Sequence, residues 1–365
     1  MASCRQEIIN ILRCYLNNDY NYSFDGNFDE LYDLSNNLEI GSVIGYTLNK
    51  CNIKTKRFDN SIYKSLNKHE RLVATAKNIE ELFAGKYDFL FLKGLSISKY
   101  YEEPYLRHIG DIDIIVKEDN FVDAHSLLTN NGYRFVRSIK EEVTLANSLD
   151  IVVDLHHFNK LGEGFKLLLK DQFSDRKELD INYLYVYNLL HCLKHFKLGV
   201  LTYRFFIDLF YLRKLIDNDV VDKLLKECDL SLFNTSVNSY LDALITKKEY
   251  SENDIQIENF IFNYSVDSGS KNRTLINSYG KTRLTYLLSR LFIPYKLISE
   301  EYSILKKHKL LLPFYYVKRI ITIAKGYRGK YARDEIESIF SFNTEASKDM
   351  QTFLKSIGAE SSSNI

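Results

Sequence analysis

Apolar residues recur at three- and four-residue spacing through the first 85 positions. Ile8, Ile9, Ile11, Leu12, Tyr15 and Leu16 form one stripe, and Leu66, Leu72, Val73 and Ala76 begin another, so this region is predicted to be helical. Asp59, Asn60 and Ser61 are candidate caps for the second helix, because their side-chain oxygens can accept from the first unpaired backbone N–H groups. The period then changes. A short apolar run from Asp88 to Leu92, entered through Gly85, reads as a strand, and Asp111 to Val116 reads as the next. A helix from Asn120 to Asn131 stops at Gly132, and Tyr133 to Val136 is extended again. Glu142 to Leu145 and Ile151 to Leu155, parted by Asn147-Ser148, predict a hairpin.

From Tyr183 onward helical spacing returns through Leu190, Leu193, Phe206, Leu209 and Leu212. The segment from Tyr264 to Gly280, with its Ser, Asn and Gly, reads as an exposed connection, and residues 358–365 as a disordered tail. The expected fold class is α+β: a small mixed β-sheet with N-terminal helices on one side of it in the chain and a C-terminal helical domain on the other. The corresponding divisions are 1–85, 86–180, 181–357 and 358–365.

Composition narrows the class. With 365 residues and 45% hydrophobic content the chain can bury more than one core. Lys plus Arg, at 49, nearly balance Asp plus Glu, at 48, so no overall basic surplus exists to hold a long nucleic acid through its phosphates. Cysteines at 4, 14, 51, 192 and 228 show no metal-knuckle spacing and an odd count, which suits reduced thiols and a cytoplasmic location. The N-terminus lacks the layout of a secretory signal, and no apolar run approaches the ~20 residues of a spanning helix. The abundance of Asn, Lys, Ile and Tyr without Trp suits an AT-rich bacterial genome.

The candidate chemistry lies in the strands. Alternate side chains of a strand share a face, so Asp111 and Asp113 point one way while Ile112, Ile114 and Val116 point the other. In Ile151 to His156 the same parity groups Val152, Asp154 and His156. An aspartate among Ile151, Val152, Val153 and Leu155 is costly to bury unless something pairs with it, and a cation between three aspartates would. Gly94 lies seventeen residues before Asp111; a backbone without Cβ admits a triphosphate and aims N–H groups at its oxygens. Hard oxygen ligands beside a phosphate cradle suit Mg²⁺, or Mn²⁺ in its place.

Leu92-Lys93-Gly94, Tyr100-Tyr101, Pro104, Leu106-Arg107, Gly110-Asp111-Ile112-Asp113 and Val153-Asp154-Leu155-His156 together resemble an uncharacterised bacterial nucleotidyltransferase family. His191, His195, Arg204, Asp208, Leu311-Leu312-Pro313 and Lys318-Arg319 extend the resemblance downstream, in pieces from about residue 60 to 325. The wider superfamily usually has Gly-Gly or Gly-Ser where this chain has Gly94-Leu95, which leaves Ser96 as the candidate phosphate-binding hydroxyl. The resemblance implies transfer of a nucleoside monophosphate from an NTP to a hydroxyl or phosphate, with Asp111, Asp113 and Asp154 as metal ligands and catalytic residues. It also implies that the helix bearing His191, Lys194 and His195 faces the cleft, where these residues could meet phosphates or the acceptor.

Each candidate has a plain structural alternative. Arg107 could clamp a phosphate or pair with Glu102 or Glu103; Lys93 could reach a phosphate or point to solvent. His156 could bond a carboxylate or the acceptor, or be a core histidine, and His157 reads as the latter. His191 and His195 stack on one helical face, but Cys192 points elsewhere, so zinc is not expected there. Arg204 and Asp208, four apart, suit an intrahelical ion pair. The near-zero net charge ranks a small molecule, a sugar precursor or a peptide above nucleic acid as acceptor. The competing readings are a toxin-like enzyme modifying RNA or protein, and a nucleotide-binding protein without turnover.

Overall fold

The structure is a computed structural model, and it describes residues 2–139, 142–173, 177–246, 249–267, 269–325, 337–341 and 344–360. The chain divides into two compact units, one of residues 1–194, 202–255 and 357–365, the other of 195–201 and 256–356. The first unit thus joins the N-terminal helices and the sheet to the helices that follow residue 180, where the sequence pattern places a boundary. No disulfide links the five cysteines, and no described helix is long and apolar enough to cross a membrane. The class is α+β, and the described residues form one mixed sheet of five strands.

Helices α1 (Ala2–Asn17), α2 (Phe28–Asn37), α3 (Gly41–Lys50) and α4 (Lys56–Phe83) precede the sheet. All six residues of the first apolar stripe are buried. The cap of α4 is Thr55, whose hydroxyl accepts from the Phe58 amide, so the helix starts one turn before the expected Asp59-Asn60-Ser61. Its core stripe is Leu72, Ala76, Ile79 and Phe83, while Leu66 and Val73 are exposed. Positions 72, 76, 79 and 83 follow the helical period, and 66 and 73 fall off that face.

The strands are β1 (Phe89–Phe91), β2 (Asp111–Val116), β3 (Arg134–Ser138), β4 (Glu142–Ala146) and β5 (Val152–His157), arranged in the order β1-β2-β5-β4-β3. The central pair, β2 and β5, is parallel and the other three pairings are antiparallel. Asn147 shapes the β4–β5 turn by accepting the amides of Leu149 and Ile151 on its side-chain oxygen. At the far edge, every residue of β3 is exposed and its register against β4 shifts between Phe135 and Arg137.

The sheet is two-faced. Phe89, Phe91, Ile112, Ile114, Val116, Val143, Leu145, Val153 and Leu155 pack with Leu72, Ala76, Ile79 and Phe83 of α4. Ala124 and Leu128 of α6 (Phe121–Asn130) join the same core. That face is a closed hydrophobic layer, so the residues of opposite parity are presented on the other. The helix α5 (Leu95–Ser98) lies between β1 and β2, and α7 (Glu163–Leu169), α8 (Ile181–Lys197), α9 (Tyr203–Leu212), α10 (Asn218–Glu227) and α11 (Ser231–Thr246) follow the sheet.

In the second unit the expected connection from Tyr264 to Gly280 is instead the end of α12 (Glu252–Asp267) and α13 (Ser270–Asn277). Ser270, Asn272 and Thr274 are buried, and the Asn272 amide donates to the Phe260 carbonyl at 2.9 Å. Polar composition there does not mark exposure, and Asn272 is held by internal hydrogen bonding. Of the tail read from 358, Ala359 is buried, and residues 361–365 lie outside the described residues.

Leu72 and Val73 are neighbours in sequence on opposite sides of α4. Urea unfolding should therefore show Leu72→Ala costing about 2–5 kcal/mol and Val73→Ala less than about 1 kcal/mol. Equal losses would mean that the α4 face is wrongly placed.

Candidate active site

The polar face of the sheet is built by register. Asp113 stands directly opposite Asp154 across the parallel β2–β5 ladder, and Asp111 opposite Val152. Carboxylate oxygens of Asp111, Asp113 and Asp154 all lie within 4.8 Å of one another. Asp113 and Asp154 are each 4% exposed, so bulk water does little to separate their charges.

Two cations-in-waiting meet Asp113. The Lys93 ammonium is 3.1 Å from its Oδ2, and His156 Nε2 is 3.0 Å from its Oδ1. A carboxylate only accepts, so Nε2 of His156 carries the proton. Lys93 also approaches His191 Nε2 at 3.1 Å, and since an ammonium only donates, that nitrogen is the unprotonated one. Burial alone would raise the Asp113 pKa, but the Lys93 charge and the His156 hydrogen bond outweigh it and hold the group well below the usual carboxylate range.

The other two acids are pushed the opposite way. Asp111 is raised, first by the charge of Asp113 and then by burial. Asp154 is raised to about 6, chiefly by burial, with Glu142, Asp111 and Asp113 adding to the shift and a hydrogen bond from Thr144 opposing it. Its Oδ1 is buried without a hydrogen-bond partner among the described residues. Three convergent carboxylates, two of them with a buried oxygen that accepts no hydrogen bond among the described residues, fit a hard divalent cation such as Mg²⁺.

Gly94 forms the bend between β1 and α5 with φ +73°, a conformation that suits glycine, while the Leu92 amide keeps its ladder bond to the Asp113 carbonyl at 3.1 Å. A Cβ at Gly94 would lie 3.6 Å from the Asp111 carbonyl oxygen, so the bend adjoins the carboxylates. Ser96 is fully buried on α5, and its hydroxyl has no hydrogen-bond partner among the described residues.

The family model for uncharacterised nucleotidyltransferases matches residues 25–244, more than half of the chain and all of this site. The chain belongs to that family. No curated protein matches it.

Lys93, Asp111, Asp113, Asp154, His156 and His191 lie together, with the Gly94 bend beside Asp111. Arg107 does not join them. Its guanidinium makes a buried bidentate pair with Asp208, at 2.8 and 2.7 Å, and the Tyr101 hydroxyl donates to the same carboxylate at 2.7 Å. Its partner is Asp208 rather than Glu102 or Glu103, because a fully buried fork needs a matched carboxylate and Asp208 supplies it. Arg204 forms the expected i,i+4 pair with Asp208 at 4.0 Å and also donates to Glu39 at 2.7 Å. Lys194 lies over the Phe165 ring, and His195 Nδ1 faces the Val200 carbonyl at 3.3 Å. His157 meets Glu118 and stacks on Phe121.

Three neighbours of the site carry no motif in the sequence. Glu142 pairs in register with His156 across β4–β5, and its Oε2 is 3.6 Å from His156 Nδ1. Strand parity through the hairpin would have found it. Glu39 is reached only through the tertiary contact with Arg204. Lys68 of α4 is held below its ordinary pKa by burial, with Asp111 acting against that shift.

The Arg107–Asp208 pair anchors the segment that leads into β2. Asp208→Asn should lower stability by about 3–5 kcal/mol in urea unfolding, and Arg107→Met combined with Asp208→Leu should recover most of it, since no buried charge is then left alone. Additive losses in the double variant would contradict a coupled pair.

Glu39 gives a pH signature. Burial would raise its pKa, but the Arg204 charge, with help from His108 and hydrogen bonds from Arg204 and Thr202, lowers it from 4.5 to about 2. The folded form then binds fewer protons than the unfolded one between these values, so this contribution is complete above pH 4.5 and lost as pH falls toward 2. Thermal melts across that range should fall less steeply for Glu39→Gln than for wild type; parallel acid limbs would remove the assignment.

Proposed function

We propose that the chain transfers a nucleoside monophosphate from an NTP to a hydroxyl or phosphate oxygen of an acceptor. The observation that carries this reading is the convergence of Asp111, Asp113 and Asp154 within 4.8 Å beside the Gly94 bend, in a chain of nucleotidyltransferase family. Asp111, Asp113 and Asp154 would hold Mg²⁺. Once bound, the ion would draw charge from the triphosphate oxygens and orient the leaving pyrophosphate.

The side chains supply the remaining work. The acceptor oxygen attacks the α-phosphorus, the bond from that phosphorus to the bridging α–β oxygen breaks, and pyrophosphate leaves with its electron pair. Asp154, whose buried Oδ1 has no hydrogen-bond partner among the described residues, would take the acceptor proton. Lys93 turns from Asp113 to a phosphate oxygen, and His191 keeps the ammonium oriented. The Gly94 backbone and the buried Ser96 hydroxyl donate to the triphosphate. Positioning and electrostatics then account for most of the acceleration.

The near-balance of 49 basic and 48 acidic residues favours a small molecule, a sugar precursor or a peptide as acceptor over bulk nucleic acid. Location in the cytoplasm belongs to the same reading.

Asp154→Asn separates chemistry from folding. The raised pKa means that the folded protein holds the charged form at a cost above about pH 6, so the neutral amide should melt at or above the wild-type temperature at pH 7.5. Asp113→Asn is the poorer choice, because it strands Lys93 and His156. Calorimetry with ATP, GTP, CTP and UTP in Mg²⁺ should identify a nucleotide bound by wild type. Pyrophosphate release from it, over a panel of hydroxyl and phosphate acceptors, should fall roughly a thousandfold in Asp154→Asn, the scale of several kcal/mol of lost charge stabilisation. Undiminished turnover in that variant, or no nucleotide binding by wild type, would overturn the proposal.

A further inference from the structure

The second unit carries an apolar stripe that no described residue covers. Leu310, Phe314, Val317 and Ile321 follow one another at four-, three- and four-residue spacing and are 97%, 64%, 56% and 46% exposed. The last three lie on α16 (Leu312–Lys325), which α14 (Arg283–Leu291) and α15 (Tyr295–Glu301) precede, and Leu310 lies in the 3-10 turn that leads into it. The other side of α16 is occupied: the Tyr316 hydroxyl donates to the Ile293 carbonyl at 2.7 Å, and Arg319 donates to the Arg290 carbonyl at 3.3 Å. The stripe is therefore held outward by packing behind it. Aliphatic and aromatic side chains set out in a row like this mark a surface meant to be covered.

Charge identifies the cover. Residues 302–325 hold six Lys or Arg and no acidic residue, in a chain whose net charge is only +1. Lys306, Lys307 and Lys309 are exposed immediately before Leu310, and among the described residues none of them forms an ion pair. Lys318, four residues after Phe314, lies over the Tyr302 and Tyr315 rings. Apolar side chains flanked by long cationic ones match the boundary of an anionic bilayer, where the rings and aliphatic groups enter the acyl region and the ammonium groups stay with the headgroups. Nucleic acid would use the charges but leave Leu310, Val317 and Ile321 unrewarded. With 14 residues, α16 spans about 21 Å, short of a ~30 Å hydrocarbon core, so the geometry is that of a helix lying in the interface.

We infer that this face of the second unit docks the protein on the surface of a membrane rich in anionic lipid. The inference does not depend on the proposed chemistry.

Sedimentation of the full chain with sucrose-loaded vesicles tests it. Vesicles of phosphatidylcholine mixed with phosphatidylglycerol should carry the protein down, and vesicles of phosphatidylcholine alone should not. Lys307→Gln with Lys309→Gln should weaken binding by about thirtyfold. Phe314→Ser with Val317→Ser should weaken it about tenfold or more. Both pairs are exposed, so melting temperatures should hold. No sedimentation with either vesicle would overturn the inference. So would binding that is weakened by the lysine pair but not by the Phe314→Ser, Val317→Ser pair, which marks a purely electrostatic partner such as nucleic acid or an acidic polypeptide. Self-association in sedimentation velocity that disappears in the Phe314→Ser, Val317→Ser protein would assign the face to a second copy of the chain instead.

Discussion

The parallel pairing of β2 with β5 is the constraint from which the site follows, because it sets Asp113 against Asp154 across one rung of the ladder. Two unit charges 4.8 Å apart repel by about 3 kcal/mol at an effective dielectric of about 20, so such a rung is not a neutral place to put carboxylates. The hydrophobic layer on the reverse face fixes it. Ile112, Ile114, Val153 and Leu155 are buried against α4 and α6, and a slip of one residue would exchange them for the acids. The fold thus holds like charges together by using the burial of their sequence neighbours. Lys93 and His156 balance the arrangement at Asp113, while Asp154 is left with an oxygen that nothing in the described protein satisfies.

Around this rung the polar contacts divide by purpose. The Tyr101, Arg107, Asp208, Arg204 and Glu39 groups tie the approach to β2 to α9 and to the turn before α3. A buried ion pair is a weak source of net stability but a strict one of geometry, since its partners tolerate few alternative positions. The site residues themselves stand on strands or at their ends, where backbone ladders limit motion. Positional precision at the head of β2 comes from contacts more than ninety residues away in sequence.

That division also explains what the sequence reveals. Strand parity at Asp111-Ile112-Asp113 and Val153-Asp154-Leu155 is local and leaves a clear alternation, so the sheet and its three acids are legible before any coordinates. Arg107 is not legible, because its partner Asp208 is a hundred and one residues away and nothing near Arg107 distinguishes a buried fork from a phosphate clamp. Glu39 is hidden for the same reason, whereas Glu142 is within reach of strand parity once the hairpin register is followed. At the start of α4 the difficulty is of another kind. Thr55 and Asp59 are both competent caps, and the packing of Phe58 decides between them. Polar residues from 270 to 274 mislead because an asparagine such as Asn272 satisfies a buried backbone carbonyl as well as it satisfies water.

The outer strand β3 has a consequence for behaviour in solution. A sheet must end somewhere, and an open edge offers unpaired amides and carbonyls to any other extended chain. Here the edge carries Arg134 and Arg137, and its ladder is broken by the register shift after Phe135. Cationic side chains and a kinked backbone are poor templates for strand addition, so joining of one molecule's sheet to another's is opposed at the margin farthest from β1.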